Sequence, residues 1–95
     1  MIQVKTCSET NSLFIKSREC LKQKVQKSNI SDRDLKDILF VYIDALNDSI
    51  NSKLITNKNG WDYFNEYYEI ALENDKNDLS KDAYIEINNA IMRLQ

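Results

Sequence analysis

Proline and glycine, the residues that most often interrupt regular secondary structure, are almost absent from this chain. It has no proline, and Gly60 is the one glycine among its 95 residues. Folds rich in β-sheet need these residues at tight turns, whereas a helix interior is weakened by either of them. A chain of this length also has room for only one hydrophobic core. The sequence therefore predicts a single all-α domain over residues 1–95, built from long helices.

Hydrophobic residues recur at helical spacing in four stretches of the chain. The connections between these stretches are short, and short connections place consecutive helices antiparallel. The predicted architecture is therefore a compact bundle of about four antiparallel helices. The four stretches cover approximately residues 11–27, 32–54, 61–73 and 81–94.

Two parts of the chain leave an alternative to the helical interpretation open. Residues 38–43, "ILFVYI", are six consecutive residues that favour strands. We prefer a helix there, because the periodic apolar face continues on both sides of this run. In residues 1–10, Ile2 and Val4 alternate with polar neighbours, which is compatible with either a frayed end or a short edge strand.

Serine residues mark the expected starts of two helices. Ser31 and Ser80 each precede an amphipathic stretch, and serine is a preferred N-cap because its side-chain oxygen accepts a backbone N–H. A hydrophobic residue stands before each serine, as in a hydrophobic staple. Before the third helix, Asn59 and Gly60 are predicted to form a turn.

The residue types that carry most enzyme chemistry are missing. The chain has no histidine, which is the commonest general base and the commonest metal ligand. One glycine is too few for a phosphate-cradling loop. Cys7 and Cys20 have no histidine to activate them, and we expect both to be reduced thiols. The sequence therefore predicts that the protein is not an enzyme and holds neither a metal nor a cofactor.

The first residues, "MIQVKTCSET", lack the basic start and apolar run of a signal peptide. The longest apolar run, residues 38–43, is far shorter than the ~18 residues of a membrane span. A cytoplasmic protein with no membrane partner is expected.

The net charge of −2 is spread unevenly along the chain. Residues 1–31 carry a net +4, residues 32–60 carry −1, and residues 61–95 carry −5. The bases of the first segment scatter around its helix instead of forming the clustered patch that nucleic-acid binding requires. We therefore expect no nucleic-acid partner.

The acids of the third helix are better organised than the bases of the first. At 100° per residue, four of them fall within an arc of about 60°, where like charges destabilise a helix. They form what we call the acid stripe: Asp62, Glu66, Glu69 and Glu73. Along one edge of this stripe, the apolar arc is wider than a core-facing helix needs. That edge consists of Tyr63, Tyr67 and Ile70.

Tyrosines beside unrelieved carboxylates are typical of a surface that recognises a basic protein, since rigid aromatic rings supply contact area and acids steer the partner. The seven residues of the stripe and its edge are therefore the predicted partner-binding site. The alternative is that the acids pair with bases of the first helix inside the fold, with the third helix central in the bundle.

The segment "EYYE", Glu66-Tyr67-Tyr68-Glu69, with Asp62 nearby, resembles the immunity proteins that neutralise colicin-type nucleases. The likeness lies in this short segment together with the small size, acidity and helical content, and the third helix here is longer than in that family. The resemblance implies a mode of action in which an acidic surface covers a basic active site.

These observations predict a bacterial protein-binding inhibitor, namely an immunity protein or antitoxin that neutralises a basic toxin such as a nuclease, with a monomer as the favoured state. One alternative is a phage or mobile-element inhibitor of a nucleic-acid-processing enzyme. Another is a small structural subunit whose third helix packs in a homo-oligomer.

Overall fold

The structure, a computed structural model, describes residues 13–94, which form four α-helices after one short 3₁₀ turn. This part of the chain contains no strand, so the predicted all-α bundle is confirmed. None of its helices is both long enough and apolar enough to cross a membrane. The 3₁₀ turn is Phe14–Lys16, and the helices are α1 (Arg18–Gln26), α2 (Arg33–Asn51), α3 (Asn57–Lys76) and α4 (Ser80–Arg93).

The strand-favouring residues 38–43 lie in the middle of α2, so the helical interpretation of this run is confirmed. Four of these residues are buried, whereas Val41 is 49 % exposed. Burial on one face of a helix outweighs the weak intrinsic preference of such residues for strands. The second open question, about residues 1–10, lies outside the described part of the chain.

One hydrophobic core joins the 3₁₀ turn to all four helices. Helix α2 supplies more of it than any other helix and packs against each of the other elements. The largest completely buried side chains are Phe14, Leu21, Leu35, Leu39, Tyr42, Ile43, Leu46, Phe64 and Ile87.

The carboxylate of Asp75 holds three helix ends together. It lies in the last turn of α3 and accepts the backbone N–H of Ser31 at 2.9 Å and of Asp32 at 3.3 Å, both at the start of α2. It also accepts the hydroxyl of Ser80, the first residue of α4, at 2.8 Å. The N-termini of α2 and α4 therefore meet the C-terminus of α3, so α2 and α4 run in the same direction and α3 runs opposite to both.

Helix α1 lies antiparallel to α2. The amine of Lys36, near the start of α2, donates to the carbonyl oxygen of Gln26 at the end of α1, at 2.8 Å. At the other end of α1, the Nε atom of Arg18 lies 2.8 Å from the carboxylate of Asp44, which also pairs with Lys22 at 3.1 Å. Consecutive helices are thus antiparallel, as the short connections predict.

The predicted capping roles of Ser31 and Ser80 are wrong. Asp32 is the N-cap of α2, and its side chain accepts the N–H of Leu35 at 3.0 Å. Ser80 already lies inside α4. The hydroxyl groups of both serines are instead directed to Asp75.

The predicted turn at Asn59 and Gly60 is also wrong, because α3 begins before them. Thr56 caps the helix by accepting the N–H of Asn59 at 3.0 Å, and the side chain of Asn59 accepts the N–H of Thr56 in return. Gly60 is buried, and a Cβ atom there would lie 2.8 Å from Cδ1 of Ile50 and 3.2 Å from Cγ of Phe14. The glycine therefore permits a close approach between α3, α2 and the 3₁₀ turn.

The state of Cys20 differs from the expectation of a reduced thiol, because this cysteine is disulfide-bonded. Its side chain is partly buried against the core, at the side of α1. Cys7, the other cysteine of the chain, lies outside the described residues.

Candidate functional site

The four acids of the acid stripe lie on the exposed side of α3, in the order that the helical spacing predicts. One of them has a partner on the same helix. The amine of Lys58 lies 2.8 Å from Oδ2 of Asp62, and this hydrogen bond raises the pKa of Lys58. The acids predicted to be unrelieved therefore include one that is paired, because the helix starts earlier and ends later than predicted and so includes Lys58 and Lys76.

Glu66, Glu69 and Glu73 form no ion pair with any lysine or arginine in residues 13–94. The bases of α1 have other neighbours in the fold. Two of them pair with Asp44 of α2, and the amine of Lys24 lies 5.3 Å from the centre of the Tyr68 ring. The alternative in which the acid stripe is neutralised by α1 is therefore not what the described residues show.

The aromatic edge beside the acid stripe is only partly exposed. Tyr63 is 36 % exposed, whereas Tyr67 and Ile70 are partly buried and pack against the core. The ring of Tyr67 meets the buried ring of Tyr42 edge-on, with centroids 5.4 Å apart. Its hydroxyl oxygen accepts a hydrogen bond from Nη2 of Arg93 in α4 at 2.8 Å. The fold thus uses part of this edge to join α3 to α4.

Three of the predicted site residues, Tyr63, Glu66 and Tyr67, line a surface hollow of about 320 Å³ between α3 and α4. Sequence reasoning identified these three but missed the others, because their proximity depends on how α2 and α4 pack against α3. The other lining residues are Tyr42, Ile55, Ala90, Arg93 and Leu94.

The Tyr42 hydroxyl stays protonated beside this hollow. Burial is the main reason that its pKa is raised, and the nearby Tyr67, Glu66 and Tyr63 raise it further. The positive charge of Arg93 acts in the opposite direction but does not cancel these effects. The hollow therefore combines tyrosine rings with one carboxylate and one guanidinium at its margin.

The two tyrosines of "EYYE" face different parts of the fold. Tyr67 faces α4, as described above, whereas Tyr68 stacks on Phe64 with ring centroids 5.5 Å apart. Burial raises the pKa of Tyr68, and a hydrogen bond with Ser28 opposes this rise. Tyr67 therefore contributes to the hollow and Tyr68 contributes to the junction between α3 and the segment around α1.

No protein-family model, curated protein or solved structure matches this chain. Within residues 13–94, no three acidic or cysteine side chains are grouped so that they could hold a metal ion. The acid stripe and the adjoining hollow are surface features that the sequence pattern and the structure have in common.

Proposed function

We propose that the protein is a protein-binding inhibitor, an immunity protein or antitoxin whose α3 surface covers a basic region of a toxin such as a nuclease. One observation carries this proposal. Glu66, Glu69 and Glu73 are exposed and without an ion pair among the described residues, and they lie next to the hollow that Tyr63 and Tyr67 line. The likeness of "EYYE" to nuclease immunity proteins supports the same assignment.

The acids and the tyrosines have separate tasks in this mechanism. Aligned carboxylates on one side of a protein speed the approach of a basic partner, and salt weakens this effect. The exposed ring of Tyr63 and the adjoining hollow provide a place for an anchoring side chain of the partner. Asp62 contributes less than the three glutamates, because Lys58 already offsets its charge.

The proposal includes a monomer that acts without catalysis, without a cofactor and without nucleic acid. The proposal also includes a cytoplasmic location, and the state of Cys20 argues against this location. Cys20 is disulfide-bonded, and disulfides persist mainly in oxidising compartments. The binding mechanism is the same in either compartment, since it uses only charge and apolar contact.

The two alternatives fare differently. An inhibitor of a nucleic-acid-processing enzyme, encoded by a phage or mobile element, uses the same surface in the same way. A homo-oligomer formed through a wide apolar face of α3 is the weaker candidate, because Tyr67 and Ile70 already pack against the core of their own chain.

The test reverses the charge of Glu66 and Glu69 together and measures association with a basic nuclease domain, the class of toxin that the proposal names. The double change to lysine is expected to slow association roughly tenfold or more at low salt, because it removes the steering charge. Its thermal midpoint should change little, since both side chains are exposed and unpaired among the described residues.

The matched control is Asp82→Lys with Glu86→Lys, which changes the net charge equally at exposed positions of α4. Association that slows equally in both variants would show a dependence on net charge alone and would refute the assigned surface. Unfolding of the α3 variant would show instead that the acid stripe is needed inside the fold.

A further inference from the structure

The large apolar side chains of the helices that are most exposed are not on α3, where Tyr63 is 36 % exposed. They lie on α2 and α4, on the outer side of the pair. Their exposed fractions are too high for residues that complete a core, and grouped exposed apolar residues mark interaction sites. These residues are Val41 (49 % exposed), Tyr84 (39 %), Ile85 (57 %) and Met92 (62 %).

A hollow of about 290 Å³ is lined by two of these residues, Tyr84 and Ile85. It opens at the start of the two helices, where Asp34 of α2 faces Tyr84 and Ile85 of α4. Because α2 and α4 run in the same direction, positions further along them stay side by side. Val41 stands seven residues after Asp34, and Met92 stands seven residues after Ile85. Seven residues are about two helical turns, so each stands on the same face of its helix about 10 Å further along, and these positions define the groove that extends from the hollow.

The α2 side of this groove is acidic. Asp34, Asp37 and Asp48 are exposed and lie within an arc of about 60° that also includes Val41. None of the three forms an ion pair in residues 13–94, whereas Asp44, further around the helix, pairs with Arg18 and Lys22 of α1. The apolar groove is therefore bordered by a row of unpaired carboxylates.

We propose that this groove between α2 and α4 binds an amphipathic helix of another protein, with apolar side chains on its seated face and lysines or arginines beside the aspartates. The acid row from Asp34 to Asp48 extends about 21 Å, which equals the length of a helix of about 14 residues. An apolar face laid into a groove between two helices, with charged residues at the margin, is a recurrent mode of helix recognition.

Charge complementarity selects a basic segment over a second copy of this chain. In a two-fold symmetric dimer the same surface meets itself, so any base that offsets the two acid rows must come from this same surface. Lys81 is the one base that lines the hollow at the groove's entrance, and it cannot offset two such rows. A helix rich in lysine or arginine meets no such repulsion.

This groove is separate from the α3 surface. Arg93, which contacts Tyr67 of α3, lies about 100° around α4 from Met92. The binding of a basic helix at α2 and α4 therefore does not depend on the inhibitor function proposed for α3, and either proposal can fail alone.

The experiment uses a synthetic 15-residue helical peptide with leucines on one face and lysines along both borders, added to the isotope-labelled full chain in an NMR titration. Shifts are expected at Val41, Tyr84, Ile85 and Met92. The exchange of Val41 and Ile85 for serine should weaken binding roughly tenfold or more, and so should Asp34→Asn with Asp37→Asn. The matched control, Asp82→Asn with Glu86→Gln, removes the same charge at exposed positions of α4 on the side away from Tyr84 and should leave the peptide's affinity unchanged.

Four results would overturn the proposal. They are the absence of binding, shifts confined to the α3 surface, equal binding of a control peptide with glutamates in place of the lysines, and a dimer by light scattering that becomes a monomer when Val41 and Ile85 are changed to serine. The last result would identify a second copy of the chain as the occupant of the groove.

Discussion

Asp75 makes the most testable contribution to stability, because one side chain joins the ends of three helices. Its carboxylate accepts the N–H groups of Ser31 and Asp32 and the hydroxyls of Ser31 and Ser80, at 2.8 to 3.3 Å. The N–H groups belong to the positive end of α2, which favours an anion. Replacement of Asp75 by alanine removes all these contacts at once and leaves the start of α2 with unsatisfied donors.

The expected loss at pH 7 is about 1–2 kcal/mol of unfolding free energy, which is the scale of a lost helix cap. This loss is smaller than the sum of the separate charged hydrogen bonds, because the carboxylate is partly exposed to solvent. In a domain of this size each kcal/mol shifts the thermal midpoint by roughly 4–8 °C. Asp75→Asn keeps one acceptor oxygen and should lose about half as much.

The pH dependence follows from the lowered pKa of Asp75. Partial burial by itself raises this pKa, but the hydrogen bonds from Ser31, Ser80 and Asp32 together outweigh it, so the pKa lies below the ordinary 3.8. A carboxyl group whose pKa is lower in the folded state than in the unfolded state stabilises the fold at pH values above its unfolded-state pKa. This stabilisation is lost as the pH falls through its folded-state pKa. The difference in unfolding free energy between the wild type and Asp75→Asn should therefore have its full size at pH 7 and at pH 5 and should shrink below about pH 4.

Urea unfolding followed by the fluorescence of Trp61 and by circular dichroism measures these differences at each pH. Glu73→Ala is the matched control, since Glu73 is an exposed acid in the same part of α3 and its side chain has no ion pair in the described residues. Equal losses for Asp75→Ala and Glu73→Ala would refute the reasoning. If the difference in unfolding free energy between wild type and Asp75→Asn is unchanged at the lowest pH at which the protein is still folded, the pH argument alone would be refuted.

Two further changes test the interior. Asn47 is 6 % exposed, and neither its amide nitrogen nor its amide oxygen has a partner among the described residues, so Asn47→Leu should raise the unfolding free energy by about 1 kcal/mol. A lower denaturation midpoint for this variant would show that the amide is satisfied after all. Gly60→Ala gains about 1 kcal/mol of helix propensity but meets Ile50 and Phe14, and overpacking of about 1–3 kcal/mol should give a net loss in urea unfolding. A more stable Gly60→Ala variant would show that the 3₁₀ turn can move aside.

The ends of the helices show where sequence reasoning failed and why. Ser31 and Ser80 have the local features of N-caps, and nothing near them in the sequence argues otherwise. Their hydroxyls are instead taken by Asp75, which is 44 residues from Ser31. Gly60 was assigned to a turn for a similar reason, since the approach of Phe14 and Ile50 that requires a glycine is invisible in the local sequence.

The two candidate surfaces were likewise predictable only in part from the sequence. Helical spacing was enough to place the acid stripe on one exposed side of α3. It was not enough to show that Lys58 pairs with Asp62 or that Tyr67 is held by Arg93 and Tyr42. The acid row of α2 has equally regular spacing, but its significance depends on the neighbouring apolar side chains of α4.

The sequence by itself determined the all-α class, the existence of four helices and the face on which each acid lies, because helical periodicity and the scarcity of proline and glycine are local properties. Only the tertiary structure decided which charges are paired, which tyrosines are exposed and that α2 and α4 lie parallel with a groove between them. These outcomes depend on contacts between residues far apart in the chain. Such contacts are set by how whole helices pack, and no short stretch of sequence specifies that packing.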